Sequence, residues 1–343
     1  MAMTFSTILK WVGYGTAILS FAAAVGGITT AISRRVETRH KTEALLASER
    51  IQLNGHDYAA AWQTLDQASK IAPDSTAVHE AQEDLAMEWL DNIRVQGDGS
   101  FSEIVQKLDP ILTRGIAAAK APQRQADLAA HLGWSYFLRT REGVSGLDPS
   151  ASYADAAKKD PGNPYAEAMW GHWILWNHGD PADAARHFTA ALSSNRERVF
   201  VRRLQLSALL NNHDDASEER VVQALNEIRK EGGSVPVEMQ HRIFSMYYGK
   251  LIPPGEETTR FIHAVPPAEH VATFRWLFDR VDMRESESLL REGDLCVLEE
   301  AAGQLEDAKH GYDSIRKKLA GNPGPLLAAA ETGSKRLASA SAR

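Results

Sequence analysis

The stretch from Trp11 to Ser33, WVGYGTAILSFAAAVGGITTAIS, runs 23 residues without a charged side chain. A helix of that length covers about 34 Å, enough to cross a hydrocarbon core of about 30 Å. Lys10 closes one end and Arg34-Arg35 the other, while Trp11 and Tyr14 lie near a boundary, where amphipathic rings settle. The sequence therefore predicts a short tail over 1–10, a transmembrane helix over 11–33 and a basic linker over 34–41. Ala22-x-x-x-Gly26 and Ala23-x-x-x-Gly27 put small residues on one face of that helix, permitting close helix–helix approach. A homo-oligomer held by this face is one expectation.

Two other readings compete for the same stretch. Lys10 could open a cleavable signal peptide, with Ala22-Ala23-Ala24 near its cleavage site. The run continues through Ile28 and Ile32 to a charged stop, whereas a cleavable apolar segment spans roughly 7–15 residues. A buried soluble helix is the other, and the basic flanks speak against it. Arg34, Arg35, Arg39, Lys41 and Arg50 follow the span and only Lys10 precedes it. The positive-inside bias thus places the C-terminal side in the cytoplasm; a short N-terminal tail left inside would instead send it outward, to the periplasm of a bacterium.

Charge bounds the rest of the chain. Of 38 Lys and Arg and 45 Asp and Glu, five and one fall before residue 42, leaving 33 against 44 and a net charge of -11. Such an acidic region is a poor match for a phosphate backbone, so no nucleic-acid partner is expected. Cys296 is the lone cysteine, which excludes an intramolecular disulfide and any multi-cysteine metal site.

Beyond residue 41 the apolar residues repeat at helical spacing and then repeat again at a longer period. Ala61, Leu65 and Ala68 recur at i, i+4, i+7, as do Ala184, Phe188 and Ala191, and Ala308, Tyr312 and Ile315. Tyr153 to Phe188 and Ala156 to Ala191 are both separations of 35 residues. Pro73, Pro161 and the Gly321-Asn322-Pro323 break terminate units. No persistent period-two alternation occurs, so the fold class is all-α.

These residues resemble the tetratricopeptide repeat, a unit of about 34 residues made of two antiparallel helices. Leu132-Gly133-x-x-Tyr136 matches its first-helix signature, and Trp170-Gly171-x-x-Ile174 is a looser version. Units fall at roughly 42–75, 126–163, 164–197 and 289–322. Helices without the motif fill the remainder, one of them with Pro110 expected to bend or split it. The resemblance implies a right-handed α-solenoid of helix hairpins over 42–252. A Pro-rich connection over 253–267, C-terminal helices with the last unit over 268–323, and a disordered tail over 324–343 complete the expected organisation.

In that family the first helix of each pair lines the binding face. Carried onto this chain, the partner-contacting positions are Arg50, Asn54, His131, Trp134, His172 and Trp176. The helix AEAMWGHWILWNH is apolar nearly all round, so burial of His172 and Trp176 between neighbours is the competing reading.

Chemistry-bearing motifs are absent from the sequence. His172 and His178 are six apart and share no helix face, and there is no His-Glu-x-x-His. Gly97-Asp98-Gly99 reads as a turn rather than a phosphate loop, and no Gly-x-Ser-x-Gly occurs. Cys296 falls where the last unit wants a small packing residue. No catalytic residue, metal ligand or cofactor is expected. An anchor followed by repeats resembles bacterial membrane-anchored tetratricopeptide repeat proteins. That implies a scaffold or adaptor for a protein or peptide at the bacterial inner membrane. The alternative is an assembly subunit whose span and stacked repeats self-associate.

Overall fold

A computed structural model describes residues 34–92, 101–211, 215–246, 262–263, 265–278 and 284–341. The uncharged run Trp11 to Ser33 lies outside them, as does most of the Pro-rich connection. Among the described residues, no helix is long and apolar enough to cross a membrane. All regular structure described is helical: α1 (34–54), α2 (Tyr58–Ile71), α3 (Thr76–Asn92), α4 (Phe101–Ala118) and α5 (Pro122–Arg141) come first. There follow α6 (Pro149–Lys159), α7 (Pro164–Trp176), α8 (Pro181–Ser193), α9 (Arg198–Asn211), α10 (Asp215–Lys230) and α11 (Val237–Met246). The last four are α12 (Pro267–Phe278), α13 (Glu285–Ala301), α14 (Leu305–Lys318) and α15 (Pro325–Ser341).

Short polar and proline signals set the boundaries. The Asp57 carboxylate accepts from the Ala60 amide at 3.1 Å and caps α2, satisfying a donor that the helix leaves open. Asn163 and Asp180 do the same for α7 and α8, each followed by a proline whose fixed φ suits the first helical position. Gly303 and Gly321 take φ of 74° and 86° after α13 and α14, the left-handed exit that a side chain resists. Pro110 does not split α4, which runs uninterrupted from Phe101 to Ala118. The ring sits on the exposed face, where the carbonyl it leaves unbonded can turn to water.

The chain divides into two compact units at residue 148, inside the region expected as one solenoid and across the expected second repeat, 126–163. In the first unit α3 packs against α2, α4 and α5, and α4 pairs with α5. Its core holds Ala61, Leu65 and Leu85, with Leu46, Leu53, Tyr58 and Trp62 packed against them. Trp134 lies 4.6 Å from Phe137 and donates its indole N–H to the Leu90 carbonyl at 3.3 Å, tying α5 to the end of α3.

The second unit is a succession of neighbouring helices: α6 on α7, α7 on α8 and α9, α9 on α10, α10 on α12, then α12 to α15 in order. Gly171 lets α7 and α8 meet closely. A Cβ there would stand 3.1 Å from the Ala184 carbonyl and from the Phe188 ring. Tyr153, Ala156, Ala184, Phe188, Ala191, Ala308, Tyr312 and Ile315 are all buried, as their spacing predicts. The protein is an all-α helical repeat fold built from hairpins.

Two boundaries differ from the sequence reading. Residues 34–41, expected as a linker, are helical and belong to α1. Glu37–Lys41 and Arg39–Glu43 pairs at i, i+4 support that turn. The tail expected to be disordered forms α15 instead. Its composition is small and polar, but Ala330, Gly333 and Leu337 share one face and all three are buried. Ala330 and Leu337 join Tyr312, Ala308 and Cys296 in one cluster. Docking on that cluster, rather than intrinsic propensity, holds the helix.

Tyr153 offers a direct test of the packing. Its side chain is fully enclosed and its hydroxyl has no hydrogen-bond partner, and burial raises its pKa well above the usual value. An unpaired buried hydroxyl costs about 1–3 kcal/mol. Tyr153→Phe keeps the shape and removes the cost, so its urea midpoint should move upward. A lower midpoint would mean that the hydroxyl is bonded.

Candidate partner-binding face

Asp84, Glu88 and Asp91 recur at i, i+4, i+7, so three carboxylates share one face of α3. Helix α1 adds a fourth. Leu46, Glu49 and Leu53 fall on one stripe of α1, and the two leucines pack into the core shared with α2 and α3. Glu49 thus stands in the middle of a partly buried apolar stripe and is itself only 3% exposed.

The two ends of the α3 row meet basic side chains from α5. Arg124 bonds Asp84 at 2.6 Å and Glu83 at 3.0 Å. His131 Nε2 lies 3.2 Å from Asp91, and its Nδ1 donates to the Asp127 carbonyl at 2.6 Å. Burial alone would lower the His131 pKa. The Asp91 carboxylate and the Asp127 carbonyl overcome that and hold it above its ordinary range. The pair is therefore a largely enclosed histidine–carboxylate contact between α3 and α5.

Between these pairs the balance fails. Glu88 is half-buried, and its carboxyl is raised by burial and then by Asp91 and Asp84, with His56 opposing. Glu49 is raised by burial and by Asp84 and Glu88, with only the exposed Arg50 opposing. Among the described residues neither carboxylate makes an ion pair or a side-chain hydrogen bond. No group of three His, Cys, Asp or Glu side chains converges to hold a metal ion among those residues either.

The six positions carried over from the repeat resemblance separate into three groups. Arg50 and Asn54 are exposed on α1, beside Glu49 and one turn beyond it. His131 and Trp134 are buried in α5, where they tie that helix to α3. In the second unit His172 is buried and Trp176 half-buried. Trp176 stacks on Trp173 at 5.3 Å, and Trp173 donates to the Ser150 hydroxyl at 3.1 Å. The competing core reading of α7 holds for His172. Nothing in the repeat motif marks Glu49. It stands three residues after Leu46 and four before Leu53, and that spacing gains meaning only once both leucines are seen packed on the core.

A groove of about 710 Å³ opens between the first turns of α1 and the α2–α3 link, lined by Arg35, Val36, Arg39, Leu46, Pro73 and Asp74. Cys296 is buried, and its Sγ would lie 2.3 Å from a Cβ at Gly311. Burial pushes its thiol pKa well up, aided by Glu299 and Glu292. It is a packing residue and a poor nucleophile.

The hairpins define an all-α helical repeat fold. Among solved structures the chain is similar to a tetratricopeptide repeat protein from Parabacteroides merdae, at 10% identity and a TM-score of 0.40. That likeness covers 86% of this chain and 99% of the other. No family model matches the sequence, and no curated protein matches it.

Proposed function

We propose that this chain is a non-catalytic scaffold, tethered to a membrane by residues 11–33, that binds a protein or peptide partner through its helical hairpins. The observation that carries this reading is the α1–α3–α5 face, where charged groups line stacked helices and two carboxylates, Glu49 and Glu88, make no ion pair among the described residues. Unpartnered charge at the edge of a packed core is costly unless it is used. The uncharged run with its basic boundary supports the tether. The charge bias favours repeats that face the cytoplasm of a bacterium.

Membrane fractionation tests the tether. The full chain should remain in the membrane pellet after alkaline wash, and a copy starting at residue 34, which spares α1, should not. Recovery of a soluble full-length product, or an intact mass beginning beyond Ala24, would overturn the anchor. Proteolysis of α1–α5 from outside intact cells would overturn the cytoplasmic placement.

A further inference from the structure

We infer that Glu49 and Glu88 form a receptor for the side-chain cation of a partner, so that the first unit recognises a lysine- or arginine-bearing segment. This deepens the scaffold reading and rests on it. Three observations support the assignment, each independent of the repeat motif.

First, Glu49 is an acidic residue 3% exposed that has no hydrogen bond or ion pair among the described residues. An ordinary buried carboxylate is paired, since an unpaired one forfeits its hydration for nothing. Asp84 and Glu88 of the α3 row act on it electrostatically.

Second, the flanking carboxylates show what the arrangement accepts. Asp84 is met by the guanidinium of Arg124 and Asp91 by the imidazole of His131. The row thus meets Arg124 at one end and His131 at the other, and Glu88 between them makes no ion pair among the described residues. A cation arriving there completes an alternation already present in the fold. It would lower both raised carboxyls toward their ordinary values.

Third, the spacing suits an organic cation. Three carboxylates at helical spacing are spread along α3, and no metal-holding group forms among the described residues. A long side chain ending in an ammonium or guanidinium can reach between helices and leave its own backbone outside. The exposed Arg50 and Asn54 stand at the rim of α1, where Asn54 can bond a peptide backbone.

The test uses the full chain in detergent and three fluorescent peptides of equal length: one lysine-rich, one glutamate-rich and one uncharged. Anisotropy should show saturable binding of the lysine-rich peptide, weakening with added salt. Glu49→Gln and Glu88→Gln should each weaken it by about tenfold or more, while Glu331→Gln, an exposed carboxylate on α15, should leave it unchanged. Melting of the Glu49→Gln protein should be no lower than wild type, since the substitution removes an unpaired buried charge. If that variant does melt early, the half-buried Glu88→Gln decides the matter by itself. Equal binding by wild type and Glu88→Gln overturns the inference, as does binding of none of the peptides. Binding of the acidic or uncharged peptide alone overturns it too, while leaving the scaffold reading standing.

Discussion

Replacing Tyr312 with alanine should cost about 3–5 kcal/mol, the range for deleting a fully buried aromatic ring, and should release the last helix. The ring is 2% exposed and packs with Cys296, Ala308, Ile315, Ala330 and Leu337. Its edge also supports the α15 backbone: a Cβ at Gly333 would lie 2.5 Å from the Tyr312 ring. Removing the ring therefore empties the seam between α13, α14 and α15 together. The bidentate Arg336–Glu300 pair, at 2.5 and 2.6 Å, also holds α15. It is partly exposed, and pairs of that kind contribute about 0–1 kcal/mol. Urea unfolding should rank Tyr312→Ala far below Arg336→Ala. Limited proteolysis should cut 325–341 in the former and spare it in the latter. A protected α15 in Tyr312→Ala would show that the ring is not its anchor.

Acid should destabilise the fold through His270 by about 3 kcal/mol, and the effect should be visible only by comparison with a variant. His270 is enclosed in α12, and burial lowers its pKa from 6.5 to about 4 despite a contact of 3.4 Å to the Ile262 carbonyl. The unfolded imidazole protonates near 6.5 while the folded one stays neutral to about 4. Its contribution is complete above pH 6.5 and is lost as pH falls toward 4, at about 1.4 kcal/mol per unit. Asp294 works in the opposite sense. Burial lifts it from 3.8 to about 7, against the pull of Arg291 at 2.8 Å. Its contribution is complete below pH 3.8 and is lost as pH rises toward 7. Between about pH 4 and 6.5 the two oppose each other. Wild-type stability over that window should respond weakly to these groups. His270→Gln should make unfolding free energy fall with rising pH relative to wild type, and Asp294→Asn should do the reverse. Profiles parallel to wild type in both variants would refute the assignment.

The repeat skeleton is readable from residue spacing because packing itself imposes the spacing. A helix that buries one face must repeat small and large residues every three or four positions, and Ala184, Phe188 and Ala191 cannot meet α7 otherwise. The same logic fails at α15. There the seam consists of Ala330, Gly333 and Leu337, and two of those three are too small to register as apolar periodicity. Only the tyrosine that they rest on, contributed by another helix, gives them meaning. Two of the carried-over partner positions are taken up in packing for a related reason. His131 and Trp134 lie on the expected face of α5, but α3 sits against that face and takes them as internal contacts. Glu49 is invisible in the sequence because a glutamate in LLASERIQLN is ordinary on a helix surface. Its burial depends on where Leu46 and Leu53 are turned.

The α15 lid also bears on how copies of this chain can associate. Its outward residues include Glu331, Thr332, Lys335 and Ser339, all exposed, so the last hairpin ends in a hydrophilic surface. Stacked hairpins elongate by adding like units to a bare apolar face, and α15 covers the face formed by Ala308, Tyr312 and Ile315. A copy shortened to residue 324 would uncover Ala308, Tyr312 and Ile315 and should polymerise or precipitate where the full chain stays dispersed.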